Sequence, residues 1–422
     1  MRKGNAMTKV LVQVNSLALG GTQVNAVDMA AALSTHGYES VVAGPRDTLP
    51  QGPSLFDVAR DRGVALEAFD REQSTLSAAR TMSGLARRHG AELIHIYGSW
   101  TGRSALWGPC LLGRRPLVLT VYEMAVDPLT PRSPALIVGT KYLEEELANR
   151  REGVDLVSPP VDVDRDNSEI VSGSDFVRQL GLDDGSKLIV TVTRLDDSMK
   201  AYGVQVAMDG MDRRGARGAV LVVVGTGDAE ARLRLRADQI NARHGRRLIV
   251  MAGPMADPRS AYAAADIVVG MGGSAARGLS FGKPLVVTGE YGWFTTFTPE
   301  TADALFRDSF WSEETMQDAA GHFMSCVDRL VEDQELRARL GRFGRQFAMA
   351  NFSLDAMAAR VAGIYGRSLR EYGLRTWGRD VPPELHAVAN RCRMLLRAAV
   401  CRTRKSASNG VPDVRAEEGV SQ

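Results

Sequence analysis

The chain alternates short, wholly apolar, β-branched runs with segments whose apolar residues recur at helical spacing. "KVLVQV" is followed by "TQVNAVDMAAALSTHG", then "SVVAG", "LSAARTMSGLARRHG", "LIHIYG", "RSALWGPCLLG" and "PLVLTVY". A strand that is apolar at every position is buried on both faces. Strands of this kind separated by helices form parallel sheets wrapped by helices. After Pro159-Pro160 the pattern restarts with "LIVTVTR", "AVLVVVG", "LIVMAG", "DIVVG" and "PLVVTG", again with helical segments between. At 422 residues the chain is too long for one ordinary core. The expected fold class is therefore α/β, with two doubly wound Rossmann-like domains. The stretch "LVSPPVDVDRDNSE" from Leu156 to Glu169, rich in Pro and acids, is the expected hinge. This predicts an N-terminal domain over 1–165 and a C-terminal domain over 166–365. A helical segment over about 366–400 is expected to pack back on the first domain, before a disordered polar tail at 406–422. The basic run "PELHAVANRCRMLLRAAVCRTRK" is either a packing helix with a solvated face or a contact with an anionic membrane.

Composition narrows the function. The net charge of +2 argues against a nucleic-acid binder. Cys110, Cys326, Cys392 and Cys401 are scattered, with no CxxC pair, so neither a zinc site nor a disulfide framework is expected and a reducing cytoplasm fits. The opening "MRKGNAMTKVLVQVNSLALGG" reads as a first strand rather than a signal peptide, because Gln13 and Asn15 interrupt the apolar run and no cleavage site follows. No run approaches the roughly 18 apolar residues of a membrane span.

Ligands of doubly wound domains bind at the carboxyl ends of the strands, so the strand-to-helix turns carry the candidates. Gly20-Gly21 lets backbone approach a ligand, with Thr22 able to cap the next helix; a tight turn without a ligand is the alternative. Arg194 and Lys200, six apart beyond a strand, suit a diphosphate or are solvated surface charges. Gly225 and Gly227 resemble half of a dinucleotide fingerprint, but Glu230 stands where its last glycine belongs, so an NAD site is rejected. The backbone at Gly253, Pro254 and Met255 can read a base edge. Gly272-Gly273-Ser274 ends a strand and opens a helix, as an anion cradle would. If Ser274 caps that helix, Arg277 takes the third position, where a capping box places Glu, and would share with the turn's amides the charge of a donor phosphate; an Arg bent away to solvent or a surface acid is the alternative.

For proton transfer, His95 in "ELIHIYG" and Glu123 in "LTVYEMAVD" both end strands; a buried structural histidine is the alternative for His95. Asp162, Asp164 and Asp166 imitate an Asp-x-Asp metal motif but lie in the hinge, and no metal is predicted. "GLSFG" around Ser280 matches the letters of a nucleophile elbow at the end of a helix, where an elbow cannot form.

In order and spacing, these turns resemble the retaining glycosyltransferases of family 4. The resemblance runs from about Val10 to Tyr365 and is carried by "VNSLALGGTQVNAVDMAAALSTHGYESVVAGP", "ELIHIYG", "VTRLDDSMKAYGVQVAMDGM", "LVVVGTGDAEARL" and "VMAGPMADPRSAYAAADIVVGMGGSAARGLSFGKPLVVTGEYG". It implies a GT-B fold, two Rossmann-like domains facing a central cleft, and metal-independent transfer from a nucleoside-diphosphate sugar. Arg194 and Lys200 would hold the diphosphate, opposite Gly20 and Gly21. Gly253 to Met255 would receive the base, and Gly272, Gly273 and Ser274 would offer amides to phosphate or sugar. His95, Tyr97, Tyr122 and Glu123 would line the acceptor side. The family's paired glutamates are missing. Arg277 stands in place of the second, and Glu290 in "TGEYGW" is the expected replacement. Three readings follow: a transferase for a small-molecule or glycoconjugate acceptor in antibiotic or cell-surface glycan synthesis, a pseudo-glycosyltransferase joining cyclitols, and a silent partner subunit of the same fold.

Overall fold

The computed structural model describes residues 7–46, 54–72, 74–98, 102–182, 185–214, 218–255, 257–386, 389 and 393. The first parallel sheet contains β1 (Thr8–Gln13), β2 (Tyr38–Pro45), β3 (Ala65–Phe69), β4 (Leu93–Tyr97), β5 (Leu117–Val121), β6 (Ala135–Val138) and β7 (Val154–Leu156), in the order β3-β2-β1-β4-β5-β6-β7. The second contains β8 (Lys187–Val192), β9 (Ala219–Val224), β10 (Ile249–Gly253), β11 (Ile267–Gly270), β12 (Leu285–Thr288) and β13 (Phe294–Thr296), in the order β10-β9-β8-β11-β12-β13. Among these strands only β13 runs antiparallel. Both sheets are wound outward in two directions from a central strand. Their switch points lie between β1 and β4 and between β8 and β11, where such folds open a crevice. This is the expected pair of doubly wound domains.

The alternation arises because each central strand has two faces to cover. Leu11 and Ile94 join one cluster with Leu119 and Leu136, while Val10, Val12 and Leu93 join another on the opposite face. The second sheet divides in the same way.

The chain returns to the first domain earlier than expected. The Val161 amide donates to the Phe352 carbonyl (2.8 Å) and the Leu354 amide to the Val161 carbonyl (3.0 Å), so the two crossings run side by side. The helix Leu354–Glu371 then buries Met357, Ala358, Val361, Ile364 and Tyr365 among Val10, Ala26 and Met29 of the first domain. Those five residues form a stripe with helical spacing, and the stripe covers the helix Gly21–Leu33. The return therefore begins at Ser353, not near 366. Asp380 and Glu384 complete it: Asp380 accepts from the Arg132 amide (2.7 Å), and Glu384 accepts from Arg103 Nε (2.8 Å). Most of the expected basic helix beyond 386, and all of the tail at 406–422, lie outside the described residues.

Candidate active site

Beyond β8 the chain turns under tight steric control. The Leu195 amide donates to the Thr226 carbonyl (2.9 Å), locking this turn to the one after β9. A Cβ on Gly225 (φ +143°) would lie 1.8 Å from the Thr193 carbonyl oxygen, and one on Gly227 would lie 2.3 Å from that of Leu195. The half fingerprint is thus explained by loop packing: the glycines let two strand-end turns touch. That packing fixes the backbone around Arg194 and Lys200. Arg194 is exposed and Lys200 half-buried. Burial lowers the Lys200 ammonium below its ordinary range, the nearby Arg194 lowers it further, and Asp196 opposes both. Among the described residues neither cation forms an ion pair. Two cations that repel one another at a switch point would be relieved by an anion between them.

The neighbouring turn follows β11, which pairs with β8. The helix here is Gly273–Ser280 and its cap is Gly272, held at φ 56°, ψ −129° by its amide's bond to the Phe310 carbonyl (3.2 Å). Ser274 is not the cap. Its hydroxyl donates to the Met271 carbonyl (2.9 Å) and accepts from the Met271 amide (3.2 Å). The first-turn amides have no intrahelical acceptor, and a Cβ on Gly273 would meet nothing within 4 Å.

With Gly272 as cap, Arg277 falls in the last turn of the helix, where a cation suits the dipole. Its Nε donates to Asp166 Oδ2 (2.8 Å), and Asp166 is 3% exposed. The anion that Arg277 holds is therefore a carboxylate of the hinge. Asp162 is engaged too: Arg62 donates to it (2.9 Å) and to Asp28 (2.6 Å). These hinge acids serve as counter-ions, and among the described residues no cluster of three or more potential ligands could hold a metal.

The other C-terminal candidates divide. Gly253 has φ +78° with open space above its Cα, and its carbonyl accepts from the Gly225 amide (2.9 Å). Pro254 is exposed, while Met255 packs against the core. Glu290 is buried and accepts from Trp311 Nε1 (2.7 Å), so it is tied to the segment that follows the helix Ala302–Arg307.

On the N-terminal side, the helix Gly21–Leu33 starts from Gly20 in extended backbone, with no side-chain cap; Thr22 lies within the first turn. Gly21 is exposed, and a Cβ there would meet no atom within 4 Å. His95 is 1% exposed. Its Nδ1 shares a hydrogen bond with the Tyr365 hydroxyl (2.6 Å) and its Nε2 one with Thr120 Oγ1 (2.7 Å). Burial pushes its pKa down to about 3. A neutral, enclosed and doubly bonded ring cannot serve as the expected acid–base group. Tyr97 is buried beside it, with ring centroids 4.6 Å apart, and Tyr122 is half-buried. Glu123 is exposed, with Oε1 3.7 Å from where a Cβ on Gly98 would sit, and so marks the carboxyl ends of β4 and β5. Asn15 at the end of β1 accepts from Gln23 Nε2 (2.7 Å); sequence reasoning missed both residues, because amides carry no spacing signature. Arg307 bridges the halves, donating to Glu145 (2.9 Å) and lying 5.5 Å from the Tyr142 ring centre.

The turns beyond β1, β10 and β11 thus leave open space at Gly21, Gly253 and Gly273, and the turn beyond β8 carries two cations that form no ion pair among the described residues. Residues 20–157 match the glycosyl transferase 4-like domain family. A glycosyltransferase structure from Rickettsia africae superposes with a TM-score of 0.67 at 14% identity, covering 86% of this chain and 99% of that one. HepE of Anabaena in complex with UDP and glucose gives 0.64 at 15%, covering 84% and 98%. A putative UDP-N-acetylglucosamine 2-epimerase from Listeria monocytogenes gives 0.58 at 12%, covering 87% and 98%. No curated protein matches the sequence. Transferases and an epimerase share this architecture, so the fold alone does not choose the reaction. What the likeness establishes is that the chain has the GT-B fold, with a match to the glycosyl transferase 4-like domain over residues 20–157 of its N-terminal half.

Proposed function

We propose that this protein transfers a sugar from a nucleoside-diphosphate donor to a small-molecule or glycoconjugate acceptor, with retention at the anomeric carbon and without a resident metal ion. One observation carries the reading: Arg194 and Lys200 stand together at the carboxyl edge of the second sheet, and among the described residues neither has an anion paired with it. The Arg fork and the Lys point charge would take the donor diphosphate. They would stabilise the negative charge that grows on it as the sugar–oxygen bond breaks. The open turns at Gly273 and Gly21 would let phosphate and sugar approach backbone amides. Glu123 is the exposed carboxylate on the acceptor side and would take the acceptor's proton. A silent partner subunit has no use for two mutually repelling cations, which favours the enzyme over that reading.

The test is thermal melting with UDP, GDP and dTDP, followed by turnover in the presence of EDTA. A nucleotide at a hundred times its dissociation constant adds about 2.7 kcal/mol of stability. Arg194→Ala and Lys200→Ala should each remove that shift and most turnover, at a cost of about 2–5 kcal/mol for a lost desolvated charge contact. The melting of the free protein should hardly change. A nucleotide-induced shift that survives both substitutions would overturn the donor-site assignment. Activity lost to EDTA and restored by Mg²⁺ would overturn the metal-free mechanism.

A further inference from the structure

A nucleoside diphosphate bound as proposed has a ribose between its two ends. The diphosphate sits at Arg194 and Lys200, and the base at the open turn of Gly253 to Met255. The ribose cis-diol offers two hydroxyl donors, and a site that closes around it needs an acceptor there.

Three carboxylates interact electrostatically with Arg277: Asp166, Asp28 and Asp257. Two of them are already used. The Asp166 side chain is 4% exposed and bonded to Arg277, and that of Asp28 is 9% exposed and bonded to Arg62. The Asp257 side chain is 52% exposed. It lies two residues beyond Met255, the last residue of the turn expected to receive the base, and it is held rigidly. Arg259 Nε donates to both of its oxygens (2.8 Å each), Arg259 Nη2 donates to Oδ2, and the Arg259 amide donates to Oδ1 (3.1 Å). Burial raises the Asp257 carboxyl, but the hydrogen bonds from the Arg259 side chain and backbone outweigh it and hold the group below the usual carboxylate range. The carboxylate is thus charged and fixed, with half of its surface left for a further partner.

We infer that Asp257, oriented by Arg259, accepts the ribose hydroxyls of the donor nucleotide and makes the site selective for ribonucleotides. This inference rests on the glycosyltransferase reading above. Arg277 cannot take this role, since a guanidinium has no acceptor.

Calorimetric titration of UDP, GDP and ADP against their 2′,3′-dideoxy counterparts tests it, with wild type, Asp257→Asn and Arg194→Ala. Asn keeps the oxygen that accepts from the Arg259 amide, so the turn should survive; unchanged melting of the free variant checks this. Wild type should bind the preferred ribonucleotide about tenfold or more tighter than its dideoxy form, as hydrogen bonds to a charged group imply. In Asp257→Asn the two affinities should converge. Arg194→Ala should weaken both and keep their ratio. A ratio that persists in Asp257→Asn, or no ratio in wild type, overturns the role of Asp257 alone. Failure of wild type to bind any of these nucleotides overturns the glycosyltransferase reading and this inference with it.

Discussion

The carboxyl edges of the two sheets are built by the same winding but treat their polar residues in opposite ways. On the first, His95, which the sequence places at a strand end, lies in the middle of β4 and is absorbed by the protein: Thr120 and Tyr365 occupy both ring nitrogens. On the second, Arg194 and Lys200 follow the end of β8 and form no ion pair among the described residues, with Asp196 only partly offsetting the charge of Lys200, while Arg277, one strand away, is paired with Asp166. A polar residue in or just beyond a strand is therefore a weak guide to function. Whether the fold itself satisfies the group is the stronger one, because a buried polar group left unpaired costs stability unless a ligand completes it.

Separating the satisfied cation from the unsatisfied ones should give the largest effect on stability. Asp166→Asn removes the counter-ion of Arg277 and leaves a partly enclosed charge. Breaking a buried pair costs about 3–5 kcal/mol, and the low end applies because the Arg277 side chain stays 29% exposed. Chemical denaturation should show this loss for Asp166→Asn, while Arg194→Ala stays within about 0.5 kcal/mol of wild type. Equal losses in the two variants would erase the contrast between the pairs.

The His95 side of the comparison is read by pH. Its folded value is about 3 against an ordinary 6.5. Between these values the unfolded chain carries a proton that the folded chain lacks. The stability this histidine supports is therefore complete above pH 6.5 and is lost as pH falls toward 3, by about 1.4 kcal/mol per pH unit. His95→Gln should flatten that part of the stability profile and leave nucleotide affinity at neutral pH unchanged. A nucleotide affinity that collapses in a folded His95→Gln protein would return the residue to the site.

The fold was legible because the strand pattern is local. Runs such as "LIVTVTR" declare two buried faces without reference to any partner. The elements that escaped are short or lie at or near a sheet edge: β3, β6, β7 and β13, of which β3 and β7 have no fully buried position. Cation positions after β8 were legible for the same local reason. Their pairing was not. His95 meets Tyr365 across 270 positions and Arg277 meets Asp166 across 111, and no spacing rule reaches that far. The return of the chain at Ser353 hid inside a long helical pattern, because that single residue separates the helix that ends at Phe352 from the one that begins at Leu354, while the two pack on different domains.

The smallest effect sharpens the comparison most, because it separates two adjacent glycines. Gly272 has φ +56°, so a side chain there is strained whatever the surrounding space, and the fold itself requires this glycine. Gly273 has no such φ, and a methyl group placed on it would find no atom within 4 Å, so nothing among the described residues forbids alanine. As the first residue of the helix Gly273–Ser280, alanine there should stabilise the free protein by about 0.4–1 kcal/mol, through the reduced freedom of the unfolded chain. The same methyl group would stand in front of the helix amides where a phosphate or sugar is proposed to approach, and should weaken binding of the donor. Gly273→Ala should therefore raise the melting temperature of the free protein and reduce the further rise on adding nucleotide sugar. If both free stability and donor affinity rise together, the space in front of Gly273 is empty in the complex as well, and the turn after β11 is a structural corner rather than part of the donor site.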